Sequence, residues 1–188
     1  GVAYKLSQAI WQIEKNDFEV YHNDLLELVA LATVADIVEL QDENRVLVKQ
    51  GLKALGTTNI LGLKELIVVS KLAGKKIDAG KIGFILAPRL NAAGRLGNAQ
   101  LAVKLLTTDK EHEAKEIAEF LNNENELRQN IEQEILDEAL KMLAEKPPEK
   151  TIVLAGKNWN AGVIGIVASR LVEKYYLPTI IFSVDEQG

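Results

Sequence analysis

The sequence predicts an α/β fold with a mostly helical first part, one long connector helix and a final strand-helix-strand unit. Apolar residues recur at helical spacing through most of the chain. Neither glycine nor proline occurs between Gly97 and Pro147, so a helix can run without interruption there. After Pro148 the pattern changes to two β-branched runs, 151–155 and 179–182, on either side of a helical stretch.

Helices are expected over most of the first 107 residues. Asp24, Asp78 and Asn98 are expected N-caps, because a side-chain oxygen at that position can accept from the free N–H groups of the first turn. Pro88 and two glycines lie in the stretch 87–97, which we therefore expect to be a loop with short helical pieces. The expected helices cover 1–15, 24–33, 42–55, 62–72, 78–86 and 98–106. In the first, Val2, Leu6, Ile10 and Ile13 recur at helical spacing, and in the third, Val46, Leu47, Leu52 and Leu55 are expected to face inward.

The longest expected element begins at Thr108 or Asp109 and ends before Pro147. Its apolar stripe is narrow and is surrounded by charges, which is typical of a helix that bridges two bodies or lies along a groove. A single helix of some 35 residues would span roughly 50 Å. The alternative is a helical hairpin that turns near Asn122.

The last part of the chain is expected to form a strand, a helix and a second strand at 151–155, 161–176 and 178–182. Two strands joined through a helix imply a parallel crossover. Because two strands and one helix are too few for a stable α/β domain, we expect the remainder of that domain to lie beyond the sequence given.

Composition limits the classes of function. The chain has no cysteine, which excludes disulfides and thiolate metal sites and fits a reducing cytoplasm. Its apolar runs are too short to cross a bilayer. The net charge is −5, but residues 109–150 alone carry 13 acidic and 6 basic residues, so the remainder could still present a basic groove. The two histidines, His22 and His112, lack a ligand-spaced partner and are expected at the surface.

Two stretches carry side chains suited to a metal or a phosphate. Asp36 follows an apolar helix, where an unpaired carboxylate is costly and a hard divalent cation would suit it. The alternative is a turn residue or a cap for the next helix.

Arg89 and Arg95 flank Asn91 and several small residues, which would let a backbone approach a phosphate held by the arginines. The alternative is a solvated loop whose arginines pair with surface acids.

A third candidate site is the turn 156–165, which follows a strand and opens a helix. Ligands in α/β folds usually bind at that position. Asn160 would lie near the positive end of the helix, and Trp159 could stack on a base or sugar. Alternatively, the turn is structural and Trp159 fills the core. On the long helix, Arg128 and Gln129 could face a groove or belong to a solvated face.

Three stretches together resemble the RecJ-type exonucleases of the DHH phosphoesterase superfamily. Residues 31–36 (LATVAD) resemble the motif GT(I/V)AD, with Ala32 in place of the usual glycine. Residues 87–97 (APRLNAAGRLG) match the signature APR(I/L)NAAGRLG, and residues 159–170 (WNAGVIGIVASR) resemble WHxGVIGIVASR. The resemblance covers essentially the whole chain, and the second and third motifs are specific to RecJ-like proteins.

This resemblance implies three parts: the C-terminal part of a DHH phosphoesterase domain (1–107), a connector helix (108–146) and the truncated start of a DHH-associated domain (147–188). It implies a parent enzyme that hydrolyses phosphodiester bonds in single-stranded DNA, exonucleolytically and from the 5′ end, with Mn²⁺ or Mg²⁺. DNA repair and recombination, a cytoplasmic location and no membrane association follow from the same resemblance. A helicase or a single-strand-binding protein would be its partner.

The resemblance also assigns roles to individual residues. Asp36 would be a metal ligand and therefore part of the catalytic site. The positions that would contact the DNA strand are Arg89, Asn91, Arg95, Arg128, Gln129, Trp159, Asn160 and Arg170.

Two departures from the family pattern matter. Asn160 stands where the family usually has histidine, and an amide cannot donate a proton as an imidazolium does. The Asp-x-Asp and Asp-His-His motifs are absent, so Asp36 alone cannot assemble a two-metal site and we expect these 188 residues to be inactive by themselves. The alternatives are a DHH phosphodiesterase acting on nanoRNA or cyclic dinucleotides, and a non-catalytic DNA-binding relative, which Asn160 would suit.

Overall fold

The structure is a computed structural model that describes residues 1–14, 19–95 and 99–185, apart from the side chains of 19–23, 93 and 95. Its helical segments are α1 (Val2–Glu14), α2 (Glu19–Ala35), α3 (Asp42–Ala54), a 3₁₀ turn (Leu55–Thr57), α4 (Leu61–Val69), α5 (Ala79–Lys81), a π-helical segment (Ile82–Leu86), α6 (Ala87–Arg95), α7 (Gln100–Thr107), α8 (Glu111–Glu145) and α9 (Ile164–Tyr175). Its strands are β1 (Ile152–Lys157) and β2 (Thr179–Val184). The predicted class, mostly helical with a small parallel sheet, is confirmed.

Two compact units divide the chain. Unit 1 contains Gly1–Gly94 and Asn98–Asn122, and unit 2 contains Arg95–Gly97 and Asn123–Gly188. The division between the units therefore falls within α8. The domain bounds proposed from the sequence, at 108 and 146, stay a prediction.

Unit 1 is built on leucine and isoleucine side chains that helical periodicity places on inward faces. In α3, Leu47 is buried but Val46, which was also expected inside, is 53% exposed. The residues of the main cluster that are at most 1% exposed are Leu55, Leu63, Leu66, Ile82, Leu86, Leu105, Ala114, Ala118 and Leu121.

The first helix has the predicted position. Its apolar stripe is exposed, and Tyr4 is the buried residue of the helix, at 5% exposure. The stripe consists of Val2, Leu6, Ile10 and Ile13, which are between 49% and 87% exposed. The second helix begins at Glu19, so Asp24 lies inside it and the predicted N-cap there is wrong. Asn98, another expected cap, lies outside the described residues.

The segment from Ala79 to Arg95 is helical throughout, so the loop predicted for 87–97 is wrong as far as Arg95. As predicted, Asp78 caps its start by accepting from the N–H of Lys81 at 2.8 Å. Pro88 has no N–H and would break an α-helix. Instead the helix passes through a π-helical turn just before it, where the N–H of Ala87 donates to the carbonyl of Ile82, five residues earlier.

The connector is one helix of 35 residues, and the alternative of a hairpin is wrong. Thr108 lies before its first turn, where its hydroxyl accepts from the N–H of Lys110 at 3.2 Å and donates to the Glu113 carboxylate at 2.5 Å. These bonds connect the residues just before the helix to the side chain of Glu113 in its first turn. In the described part of the chain, neither this helix nor any other is both long and apolar enough to cross a membrane.

Unit 2 contains the predicted parallel pair of strands. Ile152 pairs with Thr179, and the register continues to Lys157 opposite Val184. Burial alternates along β1, so one face of the sheet packs on α8 and α9 and the other is exposed. The buried residues of this core are Ile135, Ala139, Leu143, Ile152, Leu154, Trp159, Val163, Val167 and Leu171.

Candidate nucleic-acid interface

Asp36 is an exposed residue at the C-terminal end of α2. The N–H of Ile37 donates to Val34 at 3.1 Å and the N–H of Val38 donates to Thr33 at 3.1 Å, which is the paired pattern of a Schellman turn. Glycine normally occupies the left-handed position of that turn, but here it holds Ile37 at φ 54°. A β-branched residue there stores backbone strain directly beside the candidate metal ligand.

The surroundings of Asp36 do not complete a metal site. Divalent cations take several oxygen ligands, and catalytic pairs of metals need more than one carboxylate. Among the described residues there is no group of three or more histidine, cysteine, aspartate and glutamate side chains that could hold a metal. Asp36 would therefore be one ligand within a larger set.

Arg89 is half-buried at the start of α6 and is held by two hydrogen bonds. Its Nε donates to Oδ1 of Asn122 at 3.0 Å, and its Nη1 donates to the carbonyl of Ile85 at 2.7 Å. The second bond lies within the helical turn that Pro88 disturbs, where a backbone carbonyl can lack its usual donor. Arg89 is thus part of the packing between α6 and α8 rather than a solvated loop residue.

Asn91 and Arg95 are the other predicted strand contacts in that motif. Asn91 is exposed on α6, in a position that a ligand could reach. The side chain of Arg95 lies outside the described residues, as do residues 96–98, and its predicted role stays a prediction.

Arg128 and Arg170 meet at one buried carboxylate in unit 2. Nη1 of Arg128 donates to Oε2 of Glu132 at 2.9 Å, and Nε of Arg170 lies 2.6 Å from Oε1 of the same group. Nη2 of Arg128 also donates to Oδ1 of Asn125 at 3.2 Å. The Arg128 side chain is only 11% exposed, whereas that of Arg170 is 49% exposed. Gln129, on the same helix, is exposed.

Trp159 is a core residue, which is the alternative that the sequence left open. Its side chain is 5% exposed, and its indole Nε1 donates to a carboxylate oxygen of Glu138 on α8 at 2.8 Å. The ring lies over Gly156, where an added Cβ would come within 1.9 Å of it. A base cannot stack on a ring enclosed in this way, so the expected contact between Trp159 and DNA is corrected to a packing role.

Asn160 shapes the turn that leads into α9. Its Oδ1 accepts from the N–H of Gly162 at 2.8 Å, and its carbonyl accepts from the N–H groups of Val163 and Ile164 at 2.9 and 3.0 Å. This Asx turn explains why an amide fits here, since a short acceptor side chain suits the start of a helix. The half-buried Asn160 therefore organises the turn through its oxygen.

Sequence reasoning missed two features, one in each unit. The first is Glu132, whose only local signal is its i,i+4 spacing from Arg128. The second is the basic face of α3, where Arg45, Lys49 and Lys53 follow one another at four-residue intervals. With Lys76 these residues line a cavity of about 620 Å³ that has apolar walls. The expectation of a local basic groove is consistent with this face of unit 1.

Comparison with known proteins is consistent across sequence and structure. RecJ of Bacillus subtilis, a single-stranded-DNA-specific exonuclease, is 43% identical to the chain over an alignment of 191 residues that covers all of this chain and 23% of that protein. RecJ of Escherichia coli is 38% identical over an alignment of 203 residues that covers all of this chain and 35% of the relative. No protein-family model matches.

Solved structures give the same result. The crystal structure of Thermus thermophilus RecJ in complex with Mg²⁺ superposes with a TM-score of 0.76 and 37% identity, covering 85% of this chain and 25% of that one. A structure of exonuclease RecJ bound to manganese gives a TM-score of 0.73, covering 84% and 40%. The chain thus spans about a quarter to a third of the length of the curated relatives it matches, and over its full length it is homologous to a segment of the RecJ exonucleases.

Proposed function

We propose that the protein carrying this sequence hydrolyses phosphodiester bonds of single-stranded DNA, exonucleolytically and from the 5′ end, with Mn²⁺ or Mg²⁺ as cofactor. The observation that carries the proposal is the full-length similarity to single-stranded-DNA-specific RecJ at up to 43% identity. Matching structures that contain Mg²⁺ and manganese support the cofactor. DNA repair and recombination in the cytoplasm would be its setting.

The proposed site uses the residues predicted from the sequence, apart from Trp159. Asp36 would supply one metal ligand, and the remaining ligands would come from outside these 188 residues, because the sequence contains neither an Asp-x-Asp nor an Asp-His-His motif. The proposed contacts to the strand are Arg89, Asn91, Arg95, Gln129, Asn160 and Arg170. Arg128 would act indirectly, since it is nearly buried and already bonded to Glu132. The parts 1–107, 108–146 and 147–188 are the proposed domain division.

Partners follow from the substrate. An exonuclease specific for single strands needs a helicase to unwind duplex, or a single-strand-binding protein that keeps the strand available. We include both as proposed partners. Neither contributes to the identification of the activity.

The test compares substrates and lengths. The protein that carries the chain should shorten 5′-labelled single-stranded DNA in Mn²⁺ or Mg²⁺, release nucleotides from that end, and leave blunt duplex and cyclic di-AMP intact. Hydrolysis of cyclic di-AMP with no action on DNA would favour a small-substrate phosphodiesterase. Residues 1–188 alone should show no nuclease activity in Mn²⁺, because they lack the Asp-x-Asp and Asp-His-His motifs that would join Asp36 in a two-metal site.

One observation favours a second candidate, a non-catalytic DNA-binding protein. Asn160 replaces the usual histidine, and its Oδ1 is already bonded to the Gly162 N–H. A protein of this kind would bind single-stranded DNA with unchanged affinity before and after addition of Mn²⁺ and would leave the strand at full length. Substitution Asn160→His that creates or raises cleavage would show that this position limits the chemistry.

A further inference from the structure

Glu132 lies at the centre of a charged cluster within unit 2. Its side chain is 3% exposed, and each of its two oxygens is close to a different arginine. Arg128 comes from one turn earlier in α8, and Arg170 comes from α9. A carboxylate buried to this degree is stable as an ion only when cations compensate it, and here it has two.

The two arginines are held differently. Arg128 is bonded on both sides, to Glu132 and to Oδ1 of Asn125, and Asn125 is itself only 1% exposed. This arginine therefore balances the buried carboxylate and has little access to solvent. Arg170 has 49% of its side chain exposed, and it approaches Glu132 through its Nε.

The contact between Glu132 and Arg170 is an ion pair rather than a well-aligned hydrogen bond. Nε and Oε1 are 2.6 Å apart, yet among the described residues Oε1 has no partner with hydrogen-bond geometry. Neither terminal nitrogen of Arg170 forms a hydrogen bond with a described residue. A guanidinium fixed at Nε still has a pair of donors at its outer end, and such a fork matches two oxygens of a phosphate.

We propose that Glu132 is a positioning residue that holds Arg170 so that its terminal nitrogens bind a phosphodiester group of single-stranded DNA. The proposal rests on the proposed function and deepens it by assigning a partner to one of its strand contacts. The cluster carries two positive charges and one negative, so the excess charge is placed on the exposed arginine. Glu132 has no contact with the strand in this arrangement and acts through Arg170.

The substitution Glu132→Gln separates positioning from charge. It removes a negative charge beside two arginines, so a purely electrostatic role predicts tighter DNA binding and a steeper salt dependence. Positioning predicts the reverse: about tenfold weaker binding of a single strand and a salt slope flatter by roughly 0.7, the value for one lost phosphate contact. The measurement is fluorescence anisotropy of labelled oligo-dT with the whole protein, in EDTA to prevent hydrolysis, from 50 to 300 mM salt.

A matched control and a double variant complete the test. Glu134→Gln makes the same charge change two residues away on the exposed side of α8, and it should leave the slope unchanged or slightly steeper. In an Arg170→Gln background the additional change Glu132→Gln should have no further effect, because the residue that Glu132 positions is gone. Arg170→Lys keeps the charge but lacks the fork, and it should also weaken binding.

Several results would overturn the inference. Binding by Glu132→Gln that equals or exceeds the unmodified protein would show that Glu132 only neutralises charge. Additive losses in the double variant would show that Glu132 acts independently of Arg170. If Glu132→Gln lowers the unfolding temperature too far for measurement, Arg170→Lys decides, since unchanged binding there excludes a forked contact. Failure of the unmodified protein to bind a single strand would instead overturn the proposed function, and the inference with it.

Discussion

Glu27 is a buried acid in α2 that takes part in none of the proposed strand contacts. It is 2% exposed, and the hydroxyl of Thr58 donates to its carboxylate. The same hydroxyl accepts from the N–H of Ile60 at 3.2 Å, just before α4 begins. Burial raises the pKa of Glu27 above its ordinary value, and the hydrogen bond from Thr58 opposes that rise only in part.

The raised pKa of Glu27 predicts a pH-dependent stability. The folded state binds the proton more tightly than the unfolded chain, so the contribution of this group is fully present below about pH 4.5 and is lost as pH rises through the raised folded-state pKa. Glu27→Gln keeps the acceptor for Thr58 but cannot ionise. We therefore expect the variant to gain stability relative to the unmodified chain at pH 8 and to gain little at pH 4, measured by thermal unfolding with circular dichroism.

A matched control for Glu27→Gln is Glu39→Gln, which changes the same charge at an exposed position. It should show no comparable difference between pH 4 and pH 8. A Glu27→Gln variant that is less stable than the unmodified chain at both pH values would show that the ionised carboxylate is favourable in its site.

The role of a single residue could be predicted from the sequence when its hydrogen-bond partner is close in the chain, and not when the partner is distant. The capping role of Asp78 was predictable, because its partner is three residues away. The partner of Glu27 is 31 residues away, and that of Trp159 is 21 residues away on another helix. No pattern in the sequence brings such pairs together, so the core role of Trp159 could be named only as an alternative.

At the scale of elements, periodicity was sufficient for long helices and for the strands. Periodicity was insufficient where a helix continues through residues that usually end one. Pro88 and Gly94 indicate a loop, yet a π-helical turn before Pro88 lets the helix continue to Arg95. The apolar stripe of α1 predicted the helix correctly, yet the stripe is exposed, because a period shows which residues share a side and not what covers that side.

The turn between β1 and α9 depends on a close approach of Gly156 to the Trp159 ring. A Cβ at residue 156 would lie 1.9 Å from a ring atom, so Gly156→Ala requires the indole to leave its position over the strand. Overpacking of this kind costs about 1–3 kcal/mol, and loss of the bond to Glu138 would add to it. We expect a clearly lower unfolding temperature for Gly156→Ala in a thermal melt.

Gly165→Ala is the matched control for the element. This glycine lies in α9 with nothing within 4 Å of an added Cβ. Gly165 is the second residue of α9, so the gain from alanine should be below the roughly 0.5–1 kcal/mol of a helix interior, and this variant should melt at an unchanged or slightly higher temperature. Equal effects from the two substitutions would mean that the Trp159 ring does not lie over Gly156 in solution.

For the whole molecule, α8 is the element that both units share. It contributes Ile117 and Leu121 to the core of unit 1, and Ile135 and Leu143 to the core of unit 2. Two features of the sequence predicted this arrangement. Residues 98–146 contain no glycine or proline that would interrupt a helix, and their narrow apolar stripe is typical of a helix that bridges two bodies. The position at which the two units divide along α8 depends on contacts between side chains that are far apart in the sequence. A sequence pattern does not show such contacts, so the bounds at 108 and 146 stay a prediction.

Separate cores predict separate local stability. Gly156→Ala should destabilise the core of unit 2 and leave the core of unit 1 unaffected. In native-state hydrogen exchange, amides of β1, α9 and β2 should then exchange about 30-fold faster, the factor for a loss of about 2 kcal/mol. Buried amides of α3 and α4 should keep their rates. An equal acceleration in both groups would show that the chain unfolds as one cooperative body, with α8 transmitting the loss from one core to the other.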